Sequence, residues 1–230
     1  MSRQQELRTN LANLREEIEA ACEVARRDPA TITLIAVTKN FPASDIRYLY
    51  EFGVSEFGES RVQELAMKFD EIDDVAPTWH YLGRVQSNKI KDIARIADVV
   101  HSIDSLNQIE KFERSGQELG RTQNLLIQVN LDPDYPNQRG GVCPDDIEGL
   151  SGAIHARSNT NLGGLMFIAS PKESPQVAFE KFQEVLEDFR LNHPQAFIAS
   201  AGMSTDFREA IAIGATHLRI GSKLLGNRSV

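Results

Sequence analysis

Apolar residues recur at spacings of three and four near the start of the chain, at Leu7, Leu11, Leu14, Ile18 and Cys22, with charges between them. That is the period of one buried helical face and predicts a helix over about 2–27. Beyond residue 30 the period changes, and short apolar, β-branched runs alternate with longer amphipathic stretches. TITLIAVT at 31–38 is followed by ASDIRYLYEFG at 43–53, which opens on the cap-like Ser44 and closes on Gly53. The pairing repeats as VSEFG with RVQELAMKF, WHYLG with SNKIKDIARIA, and VVHSI with SLNQIEKFERSGQELG. LLIQVNL leads through a Pro/Asn/Gly-rich loop at 132–141 to PDDIEGLSGAIHA, and LGGLMFI precedes PQVAFEKFQEVLEDFRLNH. AFIASAG with DFREAIAIG, then HLRIG with a short tail, complete the series.

Eight strand–helix units with no intervening linker require parallel strands joined by crossovers. A chain of 230 residues is close to the usual length of a (β/α)8 barrel. The expected fold is α/β, a single TIM-type barrel over 31–227 behind the N-terminal helix at 1–27, with one domain over 1–230. An open doubly wound sheet would more naturally carry a glycine-rich first βα turn, and no GxGxxG is present.

Composition narrows the function classes. A formal net charge of −8 without any Lys/Arg run argues against a nucleic-acid partner. Cys22 and Cys143 lie in unrelated segments with no CxxC pair, which fits a reducing compartment and offers no zinc site. MSRQQELRTN lacks the apolar core of a secretory signal, and no apolar run approaches the ~18 residues of a membrane span. A cytoplasmic protein is expected.

Candidate chemistry gathers where strands end, because a barrel carries its site on that face. Lys39 follows the run Leu34-Ile35-Ala36-Val37 and shares strand parity with Ile35 and Val37, so its amine is expected in the barrel mouth. It is the one lysine of eight that closes a continuous apolar strand; the other seven fall on helical or loop segments and are read as solvated. A desolvated amine is a nucleophile toward carbonyls, although a lysine here can equally have just reached solvent. SAGMST (200–205) and RIGS (219–222) end the seventh and eighth strands, the frequent phosphate location in barrels. There Gly202 and Gly221 allow close backbone approach, and Ser204 and Ser222 offer hydroxyls; a turn with a capping serine is the simpler alternative. Arg219, between Leu218 and Ile220, should face inward with His217 and Gly221. A buried arginine needs a partner: a phosphate or aromatic nitrogen, or an internal Asp or Glu.

An amine, a phosphate cradle and an inward arginine at one mouth describe a pyridoxal-phosphate site of the alanine-racemase-like barrel type. AVTKNFP, FGESRVQE, WHYLGRVQSNK, GLMFI and SAGMSTDFREAIAIGATHLRIGSKLLG together resemble, in order and spacing, the pyridoxal phosphate homeostasis protein family, formerly named proline synthase co-transcribed homologues. The resemblance runs over about residues 33–227 and implies the cofactor pyridoxal 5′-phosphate. It implies an internal aldimine on Lys39, Arg219 near the pyridine nitrogen, and Gly202, Ser204, Gly221 and Ser222 around the phosphate. FGES departs from the family's usual FGEN, so Ser60 stands in place of an amide near the cofactor and that contact is open. His80 matches an interior family position where packing is favoured over catalysis. His101, His155 and His193 show no partner pattern and no metal-ligand spacing.

An arginine opposite the ring nitrogen is permanently charged and shares no proton with it, which weakens carbanion stabilisation. A racemase of this type also needs a second base from an added β domain and partner subunit, and only nine residues follow Gly221, so that domain is expected to be absent. The expected function is therefore binding, buffering and delivery of pyridoxal phosphate to apo-enzymes, with an influence on amino-acid and keto-acid balance implied by the resemblance, by a protein that is a monomer. The alternatives are a low-activity pyridoxal-phosphate racemase or decarboxylase, and a sugar-phosphate barrel with Lys39 as an aldolase-like base. Lys223, close to the phosphate loop, is the rival lysine. The N-terminal helix is expected to cover the barrel bottom or side, and the acidic loop at Asp132 to Asp134 to gate the mouth.

Overall fold

Eight parallel strands close in chain order: β1 (Thr33–Val37), β2 (Glu56–Glu59), β3 (Thr78–Tyr81), β4 (Val99–Ile103), β5 (Gln123–Val129), β6 (Thr160–Phe167), β7 (Ile198–Ser200) and β8 (His217–Ile220), with β8 returning to β1. They are seen in a computed structural model that describes residues 1–132 and 140–226. The crossovers are α2 (Ala43–Glu51), α3 (Val62–Glu71), α4 (Ile90–Ile96), α5 (Leu106–Leu119), α6 (Ile147–His155), α7 (Pro175–Asn192) and α8 (Phe207–Ala212). The chain starts with α1 (Arg3–Val24), and α9 (Ser222–Leu225) follows the last strand.

Alternation of side chains along each strand divides the interior into two regions. Outward residues such as Ala36, Phe57, Trp79, Val100 and Leu165 pack with the helices in one continuous apolar shell. Inside the ring Val99, Leu126, Met166 and Ile198 form a small apolar plug. Beside the inward Ile35 and Val37 of β1 stands a polar group, His80, His101, Ser200, His217 and Arg219, all buried. Pairing in register sets Ile35 beside both Glu56 and Arg219, and Ser200 beside His217.

Helix α1 buries the five residues its period predicts and begins with a Ser2–Gln5 capping box. It packs on α2, α8 and α9, and so covers the barrel flank where the first and last units meet. Arg3 fastens it there, donating to both carboxylate oxygens of the buried Asp45 and to the Leu225 carbonyl.

Two local expectations need correction. Helix α2 starts at Ala43 with Pro42 as its N-cap, so Ser44 lies within the first turn and caps nothing; proline at that place already fixes the extended entry geometry. Thr31 belongs to a 3-10 turn (Pro29–Thr31) and not to the first strand. The loop expected to gate the mouth, beyond Asp132, lies outside the described residues.

Candidate functional site

The strand ends surround a cavity of about 620 Å³ lined by Val37, Lys39, Phe41, Ser60, Leu82, Ile168, Met203, Ser204, Thr205, Arg219, Gly221, Ser222 and Gly226. Six of the seven candidate residues read from the sequence therefore line one space: Lys39, Ser60, Ser204, Arg219, Gly221 and Ser222. Gly202 does not line it. Its φ of +88° turns the chain out of β7, and a Cβ there would stand 2.7 Å from the Cβ of Ala210, so only glycine fits. Its carbonyl accepts from the Arg219 amide at 3.0 Å, which ties the two glycine turns together.

Lys39 follows β1 on the parity of Ile35 and Val37 and is half-buried at the cavity wall. Among the described residues its ammonium makes no hydrogen bond or ion pair. The backbone that carries it is held tightly by a neighbour on α3. Lys68, expected to be solvated, is instead fully buried and donates to the Thr38 carbonyl at 2.6 Å, to Glu59 Oε1 at 2.5 Å and to Glu64 Oε1 at 2.9 Å. Glu59 also accepts from Thr38 Oγ1, and Glu64 from the Asn40 amide, both at 2.5 Å. Burial raises the Glu59 carboxyl above its usual range, against the pull of Lys68 and the Thr38 hydroxyl. The residues on both sides of Lys39 are thus clamped, with Asn40 at a φ of +65°. The sequence carried only a partial signal: Glu59 ends β2, and Glu64–Lys68 has i,i+4 order, a spacing equally suited to a solvated helix face.

Arg219 is 6% exposed and donates to Ser200 Oγ at 2.7 Å and to the Phe167 carbonyl at 2.8 Å. It forms no ion pair among the described residues, so the internal-carboxylate partner left open above is not found. Burial pulls its pKa down to about 10, with only the charge of Asp206 opposing; the group remains a cation. A buried cation facing a cavity with neutral partners alone favours an anion or a lone pair there.

Ser60 is held at the rim by close packing. A Cβ on Gly83 would lie 2.1 Å from the Ser60 carbonyl oxygen, so the β3–α4 loop lies directly against it. Ser204 accepts from the Lys223 amide at 3.3 Å, joining the loops after β7 and β8. The Lys223 side chain is occupied elsewhere: Nζ donates to both oxygens of Glu17 at 2.7 Å on α1, and the residue does not line the cavity. Phe41, Leu82, Ile168 and Met203 supply the apolar wall; each lies within a segment quoted above but is not among the site residues read from the sequence.

The histidines also differ from expectation. His80 and His101 are bonded to each other at 2.8 Å inside the barrel, and His155 and His193 stack with ring centroids 5.4 Å apart. No group of three or more metal-binding side chains occurs among the described residues.

The profile of the family described as alanine racemase, N-terminal domain, matches residues 8–229. The pyridoxal phosphate homeostasis protein of Pseudomonas aeruginosa is 35% identical over 95% of this chain and 94% of its own length. That of Escherichia coli is 34% identical over 95% of each. The chain belongs to the pyridoxal phosphate homeostasis protein family. Among solved structures, PipY of Synechococcus elongatus with PLP bound is 34% identical, with a TM-score of 0.83 over 96% of this chain and all of that one. Alanine racemase of Clostridium difficile, at 16% identity, has a TM-score of 0.74 over 96% of this chain and 59% of its own, and shares the barrel fold. For a homeostasis-family member, a lysine and an arginine converging on one cavity are the features to explain. Among the described residues no helix is long and apolar enough to cross a membrane.

Proposed function

We propose that this chain binds pyridoxal 5′-phosphate at the barrel mouth and carries it without using it catalytically, buffering the free aldehyde and delivering it to apo-enzymes. Pyridoxal phosphate brings an aldehyde that condenses reversibly with a primary amine, with loss of water, together with a phosphate dianion and a ring nitrogen that accepts a hydrogen bond. The residues present fit such a group. The observation that carries the reading is the pair of cations in one cavity: Lys39, whose amine makes no bond among the described residues, and Arg219, whose hydrogen-bond partners among them are neutral. Lys39 presents the amine, Arg219 a donor for the ring nitrogen, and Ser204, Ser222 and the Gly221 backbone the phosphate surround. Ser60 stands at the wall with a single hydroxyl where family members carry an amide. The reading is supported by the names of the relatives and by the PLP bound in PipY.

Carriage is favoured over catalysis by the nature of Arg219. Even lowered to about 10, its pKa keeps the guanidinium charged at neutral pH, so it gives no proton to a ring nitrogen and leaves the ring a weak electron sink. Incubation of the loaded protein with amino acids in deuterated water tests this. Background Cα exchange, with transfer of the cofactor to an added apo-enzyme, is expected; exchange over many equivalents would establish the racemase or decarboxylase alternative instead.

A further inference from the structure

The barrel interior holds a polar chain that the cavity alone does not require. It begins at Arg219, whose Nη1 donates to Ser200 Oγ at 2.7 Å. Ser200 Oγ lies 2.9 Å from His101 Nδ1, His101 Nε2 lies 2.8 Å from His80 Nδ1, and His80 Nε2 lies 2.6 Å from Glu56 Oε2. Ser200 and His101 are wholly buried and His80 is 1% exposed. Glu56 is the first residue of β2, so it sits at the strand-start end of the barrel, opposite the mouth. It lines a separate cavity of about 500 Å³ together with Arg15, Glu19 and Thr33. Five strands contribute one residue each: β2, β3, β4, β7 and β8.

One order of hydrogens satisfies every member. A guanidinium only donates, so Ser200 accepts from Arg219. The serine hydrogen then has His101 Nδ1 as its acceptor, which leaves the His101 hydrogen on Nε2, directed at His80 Nδ1. His80 must in turn carry its hydrogen on Nε2, and that hydrogen meets a carboxylate, which only accepts. Burial above all, with the nearby Arg219 cation adding to it, keeps His101 well below an ordinary histidine and so in the neutral form this order needs. Burial tends to raise Glu56, but the hydrogen bond it accepts from His80, aided by the Thr78 hydroxyl, outweighs that and holds it below the usual carboxylate range.

We propose that Glu56 and His80 are positioning residues for Arg219: the carboxylate at the closed end sets the tautomers of His80 and His101 and thereby the direction in which Ser200 holds the cation of the cavity. Without the Glu56 acceptor the reversed order competes. His101 then turns its hydrogen toward Ser200, whose own hydrogen is left without a partner beside Arg219, and the hold on the guanidinium loosens. This depends on where Arg219 sits and not on what fills the cavity.

The test uses the full chain, free of cofactor, with ¹⁵N-labelled histidine and arginine observed by NMR. The wild type is expected to show His101 with a bare Nδ1 and a protonated Nε2. In Glu56→Ala the His101 signals should become those of a tautomer mixture and the Arg219 side-chain signal should move. Glu56→Gln, which keeps an oxygen acceptor, should restore both, and Glu19→Ala in the same lower cavity should change neither. If Glu56→Ala does not fold, the wild-type spectrum still decides: a His101 hydrogen on Nδ1 overturns the proposal, as does a Glu56→Ala spectrum identical to wild type. Titration with pyridoxal phosphate should then show several-fold weaker binding in Glu56→Ala. Unchanged binding beside a moved Arg219 signal would count against Arg219 facing the cofactor, and leave the positioning role of Glu56 in place.

Discussion

Lys68 is the residue whose loss should be felt most. Both it and Glu59 are fully buried at 2.5 Å, and the second carboxylate oxygen of Glu59 already lacks a partner among the described residues. Lys68→Met keeps the volume and removes the counter-charge, leaving a buried carboxylate alone at a cost of about 3–5 kcal/mol. Urea denaturation of the variant should show that loss, and adding Glu59→Leu should recover most of it, because an apolar pair of similar size replaces a buried ion pair at little cost. Lys68 also holds the carbonyl of Thr38, so Lys68→Met should blur the position of Lys39 as well as weaken the fold.

At the scale of elements, the two turns that frame the cavity depend on backbone geometry. Gly202→Ala forces an L residue to a φ of +88° and drives its Cβ to 2.7 Å from that of Ala210. A destabilisation of about 2 kcal/mol or more is expected, read as a lower urea midpoint, together with a disturbed β7–α8 turn. The strands and helices themselves were legible in the chain, since a change from a helical period to short apolar runs marks each βα unit and eight units permit few closures. Lys39 and Arg219 were legible for the same reason: each is a charge within or just after an apolar strand, at a position whose parity directs it inward. Lys68 was not, because a lysine on an amphipathic helix is normally solvated and only the β2 carboxylate, nine residues away, explains its burial. The histidine chain was hidden by distance along the sequence. His80 and His101 are 21 residues apart and His101 and Ser200 are 99 apart, and strand closure alone brings them together.

At the scale of the whole molecule, the polar interior makes stability depend on pH. Burial depresses His217 to about 4 and lowers His101 in the same sense. A histidine with a depressed pKa stabilises the fold fully above its unfolded value near 6.5 and loses that contribution as pH falls toward the folded value. For His217 the loss amounts to about 3 kcal/mol across that interval. Glu59, raised by burial, acts in the opposite direction near the carboxylate range, but it is one group against two. The urea midpoint should therefore fall steadily between pH 7 and 5, and His217→Gln should fall less steeply. Within that fold the central claim concerns a single amine facing a single buried cation across the mouth. Borohydride reduction of the protein loaded with pyridoxal phosphate, followed by peptide mass spectrometry, tests it most directly. The adduct should lie on the peptide containing Lys39 and vanish in Lys39→Ala; an adduct on Lys223 or another lysine, undiminished in that variant, would contradict it.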